Sequence, residues 1–361
     1  MGGQGRMSQL TWAILGTGNI ARQFAAGVRS ARRASIVAIG SRSADTARAF
    51  AAEHAAGAAC GTYEDALKEP AVRAVYVSLP NSMHHQWTIK ALRAGKHVLC
   101  EKPLAASAAE AHEMFAEARR AGRLLVEAFM YRAHPMLAAA VEVARSGRIG
   151  PIRLIRTSFC YRTTRIADNI RFDAALAGGA LMDIGCYCID FSCLVAGQPP
   201  AQVHAAGHIH ERGVDDVVAG TLTFANGIVA GFTCGMSVQA DNSACICGED
   251  GYIEIPVPWK PPRQATFIIA RGTPPKMDGA RPAGTPPKLD GARPPGTPPR
   301  ELRTVDAGAD LYGIEADAFA AAVLDGAAPF ISQRESLANM QVLDKMRAQL
   351  TTVHRQPTTS P

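Results

Sequence analysis

The feature that most constrains the fold is an apolar run at residues 11–15 that ends in two closely spaced glycines and passes into an amphipathic helical pattern. Gly16 permits a tight turn, Gly18 lets the backbone approach a pyrophosphate, and Ala21 allows a helix to pack closely on a strand. The order of strand, glycine turn and helix predicts a dinucleotide site, whereas the alternative is an ordinary strand-to-helix turn. The predicted cofactor contacts are Gly16, Thr17, Gly18, Asn19 and Ile20.

The same alternation of strand and helix continues through the first 131 residues. Short β-rich runs lie at 35–40, 74–79, 98–100 and 124–128, and helical patterns lie at 45–54, 62–67, up to 94, and at 108–121. Four or more alternating units predict a parallel sheet with helices on both faces. Residues 1–131 are therefore predicted to form a Rossmann dinucleotide-binding domain.

Two of these strands end in residues that can carry chemistry. The strand at 74–79 ends at Leu79 and is followed by Asn81 and His84, and the strand at 98–100 runs into Glu101-Lys102-Pro103. The carboxyl edge of an open parallel sheet borders the ligand crevice, where a buried lysine can act as an acid or a base. Lys102 is the predicted acid/base residue; the alternative is that it is an ordinary surface lysine before a turn. Leu79, Asn81, His84 and Glu101 are predicted cofactor contacts, although a helix start explains Asn81 and its neighbours equally well.

The residues after the second strand, Ser41-Arg42-Ser43, bear on the choice of cofactor. A cofactor without a 2′-phosphate usually meets Asp or Glu here, which binds the ribose hydroxyls. This chain has no carboxylate to repel a phosphate, and Arg42 offers a planar fork of donors that suits one. Ser41 and Arg42 are therefore predicted to favour NADP over NAD; if Arg42 is simply exposed, the preference stays open.

The pattern changes after residue 131. Helices are predicted at 136–145, 176–194, 312–324 and 334–350, a long strand at 152–161, and an antiparallel meander over 202–255 that includes the hairpin signal Asn226-Gly227. The predicted fold class is α/β. An N-terminal Rossmann domain is followed, over 132–361, by an α+β domain for substrate binding and oligomerisation with a large, mostly antiparallel open sheet.

Asp183 and Tyr187 lie four residues apart in the predicted helix at 176–194, so both are expected on one face. A phenol has a proton to give and a carboxylate can orient it, which suits a proton-transfer site. From spacing alone, a helix face that is bonded into its surroundings is the simpler explanation.

The net charge of +6 is confined to one segment. Residues 260–303 contain nine Lys/Arg and three Asp/Glu, which leaves 29 of each charge type elsewhere. This segment repeats Gly-Thr-Pro-Pro with a period of 12 residues, starting at Gly272, Gly284 and Gly296. It is predicted to be a basic, Pro-rich insertion that is extended or disordered, with binding of an acidic partner as an alternative. The neutral remainder argues against nucleic-acid binding.

Compartment and metal content are predicted from what the sequence lacks. No run approaches about 20 apolar residues, and residues 1–10 have no apolar signal core. The nine cysteines show no convergent metal-ligand spacing and are interpreted as reduced core residues. The expectation is a cytoplasmic protein without a metal and without a membrane partner.

Four motifs together resemble the glucose-fructose oxidoreductase/inositol dehydrogenase/MocA family: Gly16 to Ala21, Pro80-Asn81, Glu101-Lys102-Pro103 and the segment 178–190. The resemblance covers about residues 10–255 and resumes from 311. Residues 127–132 and 168–172 resemble the subgroup that contains D-xylose dehydrogenases and dimeric dihydrodiol dehydrogenases.

The resemblance implies roles for individual residues. Lys102 would be the catalytic lysine, often followed by a cis-proline, and its pKa is expected to be depressed near a positive nicotinamide ring. Asp183 would be the active-site aspartate, Tyr187 the tyrosine of the sugar and dihydrodiol enzymes, and Arg171 an arginine near the cofactor.

Two positions depart from the family pattern. Ile170 replaces a tryptophan that some sugar reductases carry, so aromatic contacts there are in question. Ala177 replaces the first of three glycines, a mild change if its backbone angles are ordinary.

The implied function is NADP-dependent hydride transfer between the nicotinamide and a cyclic polyol, either an aldose such as D-xylose or D-glucose or a trans-dihydrodiol. The alternatives are NADPH-dependent reduction of a keto-sugar and a non-catalytic cofactor-binding regulator. Retention of Lys102, Asp183 and Tyr187 argues against the regulator. An exposed antiparallel face predicts a homodimer or homotetramer.

Overall fold

A computed structural model of the chain describes residues 8–272 and 299–353, within which two β-sheets are formed. The first sheet contains β1 (Leu10–Leu15), β2 (Ala34–Ser41), β3 (Ala59–Thr62), β4 (Ala74–Val77), β5 (His97–Glu101) and β6 (Leu125–Ala128). All neighbours are parallel, in the order β3-β2-β1-β4-β5-β6. The order reverses between β1 and β4, and the ligand crevice of a doubly wound sheet lies at that point. The predicted Rossmann fold is confirmed.

The helices that connect these strands begin and end at residues with clear local signals. They are α1 (Asn19–Val28), α2 (Ala44–His54), α3 (Tyr63–Lys68), α4 (Asn81–Arg93) and α5 (Ala108–Ala121). Thr62 forms a capping box with Asp65, as its position before the helical pattern predicts, and Gly122 ends α5 in the left-handed conformation. Strand β3 was not predicted, because four residues at a sheet edge carry almost no periodic signal.

The second sheet is large and mostly antiparallel, as predicted. Its strands are β7 (Ile152–Cys160), β8 (Gln202–Ile209), β9 (Asp215–Thr223), β10 (Val229–Gly235), β11 (Ser243–Gly248), β12 (Gly251–Ile255), β13 (Gln264–Arg271) and β14 (Arg300–Asp306). Their order is β14-β13-β12-β11-β7-β10-β9-β8, and β7 and β10 are parallel. The predicted continuous meander over 202–255 is wrong, because β7 lies between β10 and β11. Long-range pairing of this kind leaves no trace in local alternation.

Four further helices surround the two sheets: α6 (Pro135–Arg145), α7 (Cys186–Ala196), α8 (Leu311–Asp325) and α9 (Gln333–Val353). Helix α8 packs on α1 of the first sheet, so closely that a Cβ on Gly27 would lie 2.5 Å from the Cβ of Tyr312. Helix α9 contacts α5, α7 and β8. Helices α8 and α9 therefore contact elements of both sheets. The predicted domain boundary near residue 131 stays a prediction.

One helical segment, Ala174–Ala196, is apolar and long enough to cross a membrane by length and composition, contrary to the expectation that no run comes close. Of its most apolar window, 89% is buried inside the protein. This is the pattern of a core helix, and α7 indeed packs beneath β7 and β10.

The predicted insertion at about 260–303 is too wide. Residues 264–271 and 300–306 form the antiparallel pair β13 and β14, in which Phe267 and Ile269 are buried. Most of the Gly-Thr-Pro-Pro repeat, residues 273–298, lies outside the described residues. The composition of the whole segment concealed the two flanking strands.

Candidate active site

A cavity of about 1160 Å³ lies between the carboxyl edge of the first sheet and the α7 side of the second sheet. All the residues predicted for the site line this cavity. They are Gly16, Thr17, Gly18, Asn19, Ile20, Ser41, Arg42, Leu79, Asn81, His84, Glu101, Lys102, Arg171, Asp183 and Tyr187. The structure adds residues that the sequence did not indicate, among them Tyr161, Phe159, Trp259 and Lys260.

The glycine turn after β1 has the properties that a dinucleotide requires. Gly16 has φ of +109°, and a Cβ there would lie 2.8 Å from the Ser78 carbonyl oxygen. Next to Gly18 there is open space, with no atom within 4 Å of a Cβ position. Gly18 is also the N-cap of α1 and supplies no side-chain cap, so the first N–H groups of the helix are free to bind a phosphate. These residues fit a bound pyrophosphate.

The two predicted residues at the end of β2 differ in exposure. Ser41 is 3% exposed, whereas Arg42 is exposed at the rim of the cavity beside Tyr63. Within residues 8–272 and 299–353, the Arg42 guanidinium has no ion-pair or hydrogen-bond partner. It is therefore available to an anionic group of a ligand.

The residues after β4 form hydrogen bonds to two other segments that line the cavity. The side-chain amide of Asn81 donates to the Ala177 carbonyl at 2.9 Å. His84 is completely buried, and its ring nitrogens lie 2.9 Å from the carbonyl oxygens of Leu79 and Pro103. Burial lowers the pKa of His84. His84 thus ties the turn after β4 to the turn that carries Lys102.

Lys102 follows β5 at the predicted edge, and the Lys102–Pro103 bond is cis. Its ammonium group donates to the Asp183 carbonyl oxygen at 2.7 Å and to Asp183 Oδ1 at 3.2 Å. Burial by itself lowers the pKa of Lys102, but the charge of Asp183, together with the interactions with Cys186 and Glu101, outweighs burial and raises the pKa above its usual value. The expected depression of this pKa is thus not produced by the protein's own groups.

Asp183 lies in a π-helical turn, Leu181–Gly185, that precedes α7. The turn is anchored from β9, because the buried Asp215 carboxylate accepts the Leu181 N–H at 2.6 Å. π-Helical turns are frequent at functional sites. Here the turn aims the Asp183 carboxylate at the end of β5.

Three side chains hold the Asp183 carboxylate. Besides Lys102, Arg171 Nε donates to Oδ2 at 2.7 Å and the Tyr161 hydroxyl donates to Oδ2 at 2.8 Å. Burial alone would raise the pKa of Asp183, but the charges of Lys102 and Arg171, with the hydrogen bond from Tyr161, hold it well below its usual value. Asp183 is therefore ionised and fixed.

Tyr187 lies on the other side of Lys102. Its ring centroid is 5.1 Å from the Lys102 ammonium nitrogen, and its hydroxyl is 3.4 Å from the Met130 sulfur. Burial raises the pKa of Tyr187 well above its usual value. The predicted pairing of Asp183 with Tyr187 across one helix face is not formed among the described residues; the phenol that binds Asp183 is Tyr161. No sequence signal marked Tyr161, because it only follows the end of β7.

An aromatic wall surrounds Tyr187. Phe159 and Trp259 stack with centroids 5.7 Å apart and an interplanar angle of 11°, and both contact the Tyr187 ring edge. The indole N–H of Trp259 donates to the Ser158 carbonyl at 2.8 Å, which fixes the wall. The site therefore offers a flat apolar surface beside its charged groups.

Three remaining predicted positions are placed as follows. Glu101 is 6% exposed and accepts hydrogen bonds from the Tyr76 hydroxyl and the Lys102 N–H. Burial raises the pKa of Glu101. Ile170 is 43% exposed. Ala177 has φ of 56° and ψ of 45°, so its backbone is left-handed and the condition under which its replacement of glycine would be mild is not met.

Two family models match the chain. Residues 10–129 match an oxidoreductase family with an NAD-binding Rossmann fold, and residues 137–254 match the GFO/IDH/MocA C-terminal domain. Curated relatives include the trans-1,2-dihydrobenzene-1,2-diol dehydrogenases of Bos taurus and Homo sapiens. Each is 36% identical over 267 residues, which cover 73% of this chain and 78% of the relative.

Two solved structures are similar over nearly the whole chain. A 3-ketoreductase from Actinomadura kijaniata, in complex with NADP and TDP-benzene, has a TM-score of 0.80 and 30% identity, covering 95% of this chain and 98% of that one. An aldose-aldose oxidoreductase from Caulobacter crescentus, complexed with glycerol, has a TM-score of 0.79 and 25% identity, covering 96% of this chain and 98% of that one.

Proposed function

Because this chain belongs to the GFO/IDH/MocA family of oxidoreductases, we propose that it transfers a hydride between NADP and a cyclic polyol, either an aldose or a trans-dihydrodiol. The observation that carries this proposal is the contact between Lys102 and Asp183, at the edge of the sheet and in the same cavity as the free glycine turn. A cofactor turn, an acid/base group and an aromatic wall in one cavity are the parts that such a reaction needs.

NADP, when bound, supplies the hydride chemistry. Side chains of the protein transfer the proton that accompanies the hydride. Since the pKa of Lys102 is raised, Lys102 acts as an ammonium donor and stabilises negative charge on an oxygen beside it. In reduction the Tyr187 hydroxyl gives its proton to the substrate oxygen and becomes a phenolate beside the Lys102 ammonium group; in oxidation this phenolate takes the substrate proton and becomes the hydroxyl again. Asp183 holds Lys102 in position.

Both substrate classes are compatible with the wall formed by Phe159 and Trp259. A flat apolar surface packs against the C–H face of a pyranose and against the ring of a dihydrodiol alike. The dihydrodiol dehydrogenases and the aldose-aldose oxidoreductase to which the chain is similar support both classes.

The preference for NADP rests on the unpartnered Arg42 at the rim of the cavity and is supported by the NADP complex of the similar ketoreductase. We expect Arg42→Ala to raise the Kd for NADP about tenfold or more while changing the Kd for NAD little, because only NADP carries the 2′-phosphate. Fluorescence titration of both cofactors measures this, and Arg48→Ala, on the exposed face of α2, is the control.

The experiment that tests the function follows nicotinamide absorbance, with NADP and NAD offered separately against D-xylose, D-glucose, myo-inositol and a trans-dihydrodiol. Turnover with NADP on a pyranose or diol, lost in Lys102→Met and Tyr187→Phe, supports the proposal. If both variants turn over like the wild type, the assignment of these residues is wrong. If NADP binds without any turnover in either direction, the chain is a cofactor-binding regulator.

A second candidate is reduction of a keto-sugar by NADPH at the same site. The similarity to the 3-ketoreductase over 95% of this chain favours it. Both candidate functions use the same residues. Turnover of a 3-keto-sugar and of an aldose, each measured in the oxidative and the reductive direction, distinguishes them.

We further propose that the chain acts in the cytoplasm as a homodimer or homotetramer. All nine cysteines are free thiols, which suits a reducing compartment. The face of the second sheet opposite α7 presents Leu154, Val229 and Leu302, which are 37%, 41% and 63% exposed. The strand registers place these three side chains on one face. Such a face is suited to pairing with a second copy.

A further inference from the structure

The cavity contains a second lysine that the proposed proton transfer does not use. Lys260 belongs to the connection between β12 and β13, which contains Pro256, Pro258, Pro261 and Pro262. Its neighbour Trp259 is 2% exposed and hydrogen-bonded to β7, and the Pro262 carbonyl lies 3.1 Å from His134 Nε2. The loop is thus held on both sides of Lys260. The lysine itself is exposed to the cavity.

Glu101 and Asp183 attract the Lys260 charge from a distance, but neither contacts it. Across the part of the chain that the structure describes, the Lys260 ammonium group has no hydrogen-bond or ion-pair partner. The two carboxylates that line the cavity are already engaged, Asp183 by three donors and Glu101 by Tyr76. The walls of the cleft desolvate part of the Lys260 side chain, and this desolvation and the nearby Lys102 charge lower the pKa of Lys260 despite the attraction of Glu101 and Asp183. An anion beside Lys260 would relieve this repulsion.

Arg171 lines the same cavity, near enough for its charge to act on Lys260, and it adds unused donors. Only its Nε is used, in the hydrogen bond to Asp183, and its side chain is 45% exposed. The terminal nitrogens have no partner within the described residues. A guanidinium fork beside an ammonium group matches a carboxylate or a phosphate.

We propose that Lys260, together with the terminal nitrogens of Arg171, forms an anion subsite, and that the substrate is a sugar bearing a carboxylate or phosphate group away from the reacting carbon. The inference rests on the proposed function and names its substrate class. Lys260 is here a specificity residue that touches the substrate and has no part in proton transfer.

The test uses three substrates that share a reacting anomeric centre and differ at one remote group: D-glucose, D-glucuronate and D-glucose 6-phosphate. With NADP, kcat/KM should be at least about tenfold higher for one of the anionic sugars than for D-glucose. Which anion is preferred distinguishes a carboxylate source from a phosphate source. In Lys260→Gln the anionic-to-neutral ratio should fall about tenfold, while Lys260→Arg should retain it within about threefold. Lys345→Gln, an exposed change on α9, is the matched control.

Binding of the same sugars is also measured calorimetrically on the protein saturated with NADP. This readout does not need turnover, so the subsite is tested even if the proposed reaction is not observed. Equal affinity and equal kcat/KM for all three sugars would overturn the subsite. So would a Lys260→Gln variant that binds NADP more weakly and leaves the anionic-to-neutral ratio unchanged, because Lys260 would then serve the cofactor.

Discussion

At the scale of single residues, two phenols contact the charged centre in different ways. Tyr161 donates to Asp183 at 2.8 Å, while Tyr187 presents its ring to Lys102 and keeps its hydroxyl beside Met130. If Tyr161 is removed, Asp183 still keeps its two cationic partners, so Tyr161 is a positioning residue. If Tyr187 is removed, no other group takes over its proposed role in proton transfer.

We therefore expect Tyr161→Phe to lower kcat/KM about tenfold, since one hydrogen bond to a charged group is lost. Tyr187→Phe should lower kcat about a hundredfold or more, the usual effect of removing a general acid or base. Steady-state kinetics with NADP and the best substrate separates the two, and the pH profile of kcat should change only in Tyr187→Phe. If Tyr161→Phe lost more kcat than Tyr187→Phe, Tyr161 would be the proton-transfer residue and Tyr187 the positioning residue.

Ala177 carries the local strain that its left-handed backbone implies. A left-handed alanine costs about 1–2 kcal/mol, and glycine loses about 0.5–1 kcal/mol in backbone entropy. Ala177→Gly should therefore increase the free energy of unfolding by about 0.5–1 kcal/mol in urea titrations. Ala175→Gly, in the exposed 3₁₀ turn two residues earlier, should decrease it by a similar amount. Destabilisation by both changes would contradict the strain.

At the scale of elements, β6 supports the turn that carries Lys102. The Leu104 N–H donates to Glu127 Oε1 at 2.9 Å, and Glu127 is completely buried. Burial raises the pKa of Glu127 from about 4.5 to about 8. Between these values the unfolded chain has lost the proton that the folded chain keeps, so the free energy of unfolding falls as pH rises through this window.

Glu127→Gln tests this element, because glutamine keeps an acceptor for the Leu104 N–H and cannot ionise. Glu127 should contribute a loss of about 1.4 kcal/mol per pH unit between its two pKa values. Urea unfolding at pH 6 and pH 7.5 should show a smaller decrease in Glu127→Gln than in the wild type. Glu142→Gln, which removes an exposed carboxylate on α6, should behave as the wild type does. An unaltered slope in Glu127→Gln would mean that Glu127 is already ionised at pH 6.

At the scale of the whole molecule, the face of the second sheet opposite α7 is the surface on which we propose that two copies pair. Leu154 and Cys247 are paired across β7 and β11 at the middle of this face, and Cys245 lies beside Cys247 with 3.5 Å between the sulfurs. The hydrogen bond from Cys245 lowers the pKa of Cys247, which favours alkylation of this thiol. A second copy on this face would cover it.

We expect Leu154→Glu to convert the oligomer to monomers, since a carboxylate would be buried without a partner at the interface. Light scattering after size exclusion measures the mass. Cys247 should react with iodoacetamide faster in Leu154→Glu than in the wild type. Val238→Glu changes an equally exposed apolar side chain that lies outside the eight strands, and it should leave the mass unchanged. A wild-type monomer, or a Leu154→Glu oligomer of full size, would place the interface elsewhere.

The sequence by itself determined the features that depend on neighbouring residues. Gly16, the Thr62 cap and the position of Lys102 after β5 follow from short stretches of chain, because turns, caps and strand ends are set by local backbone preferences. The alternation of strands and helices likewise determined the parallel sheet and the place of its crevice.

Only the tertiary structure decided what meets across the crevice. Lys102 and Asp183 are 81 residues apart, and their contact depends on a π-helical turn anchored by β9. Tyr161 reaches Asp183 from the end of β7, a strand inserted between β10 and β11. Lys260 enters the cavity on the loop that leads into β13, a strand that composition had concealed. Such contacts depend on how distant elements pack and on which charges this packing brings together. Neither can be predicted from a local sequence pattern.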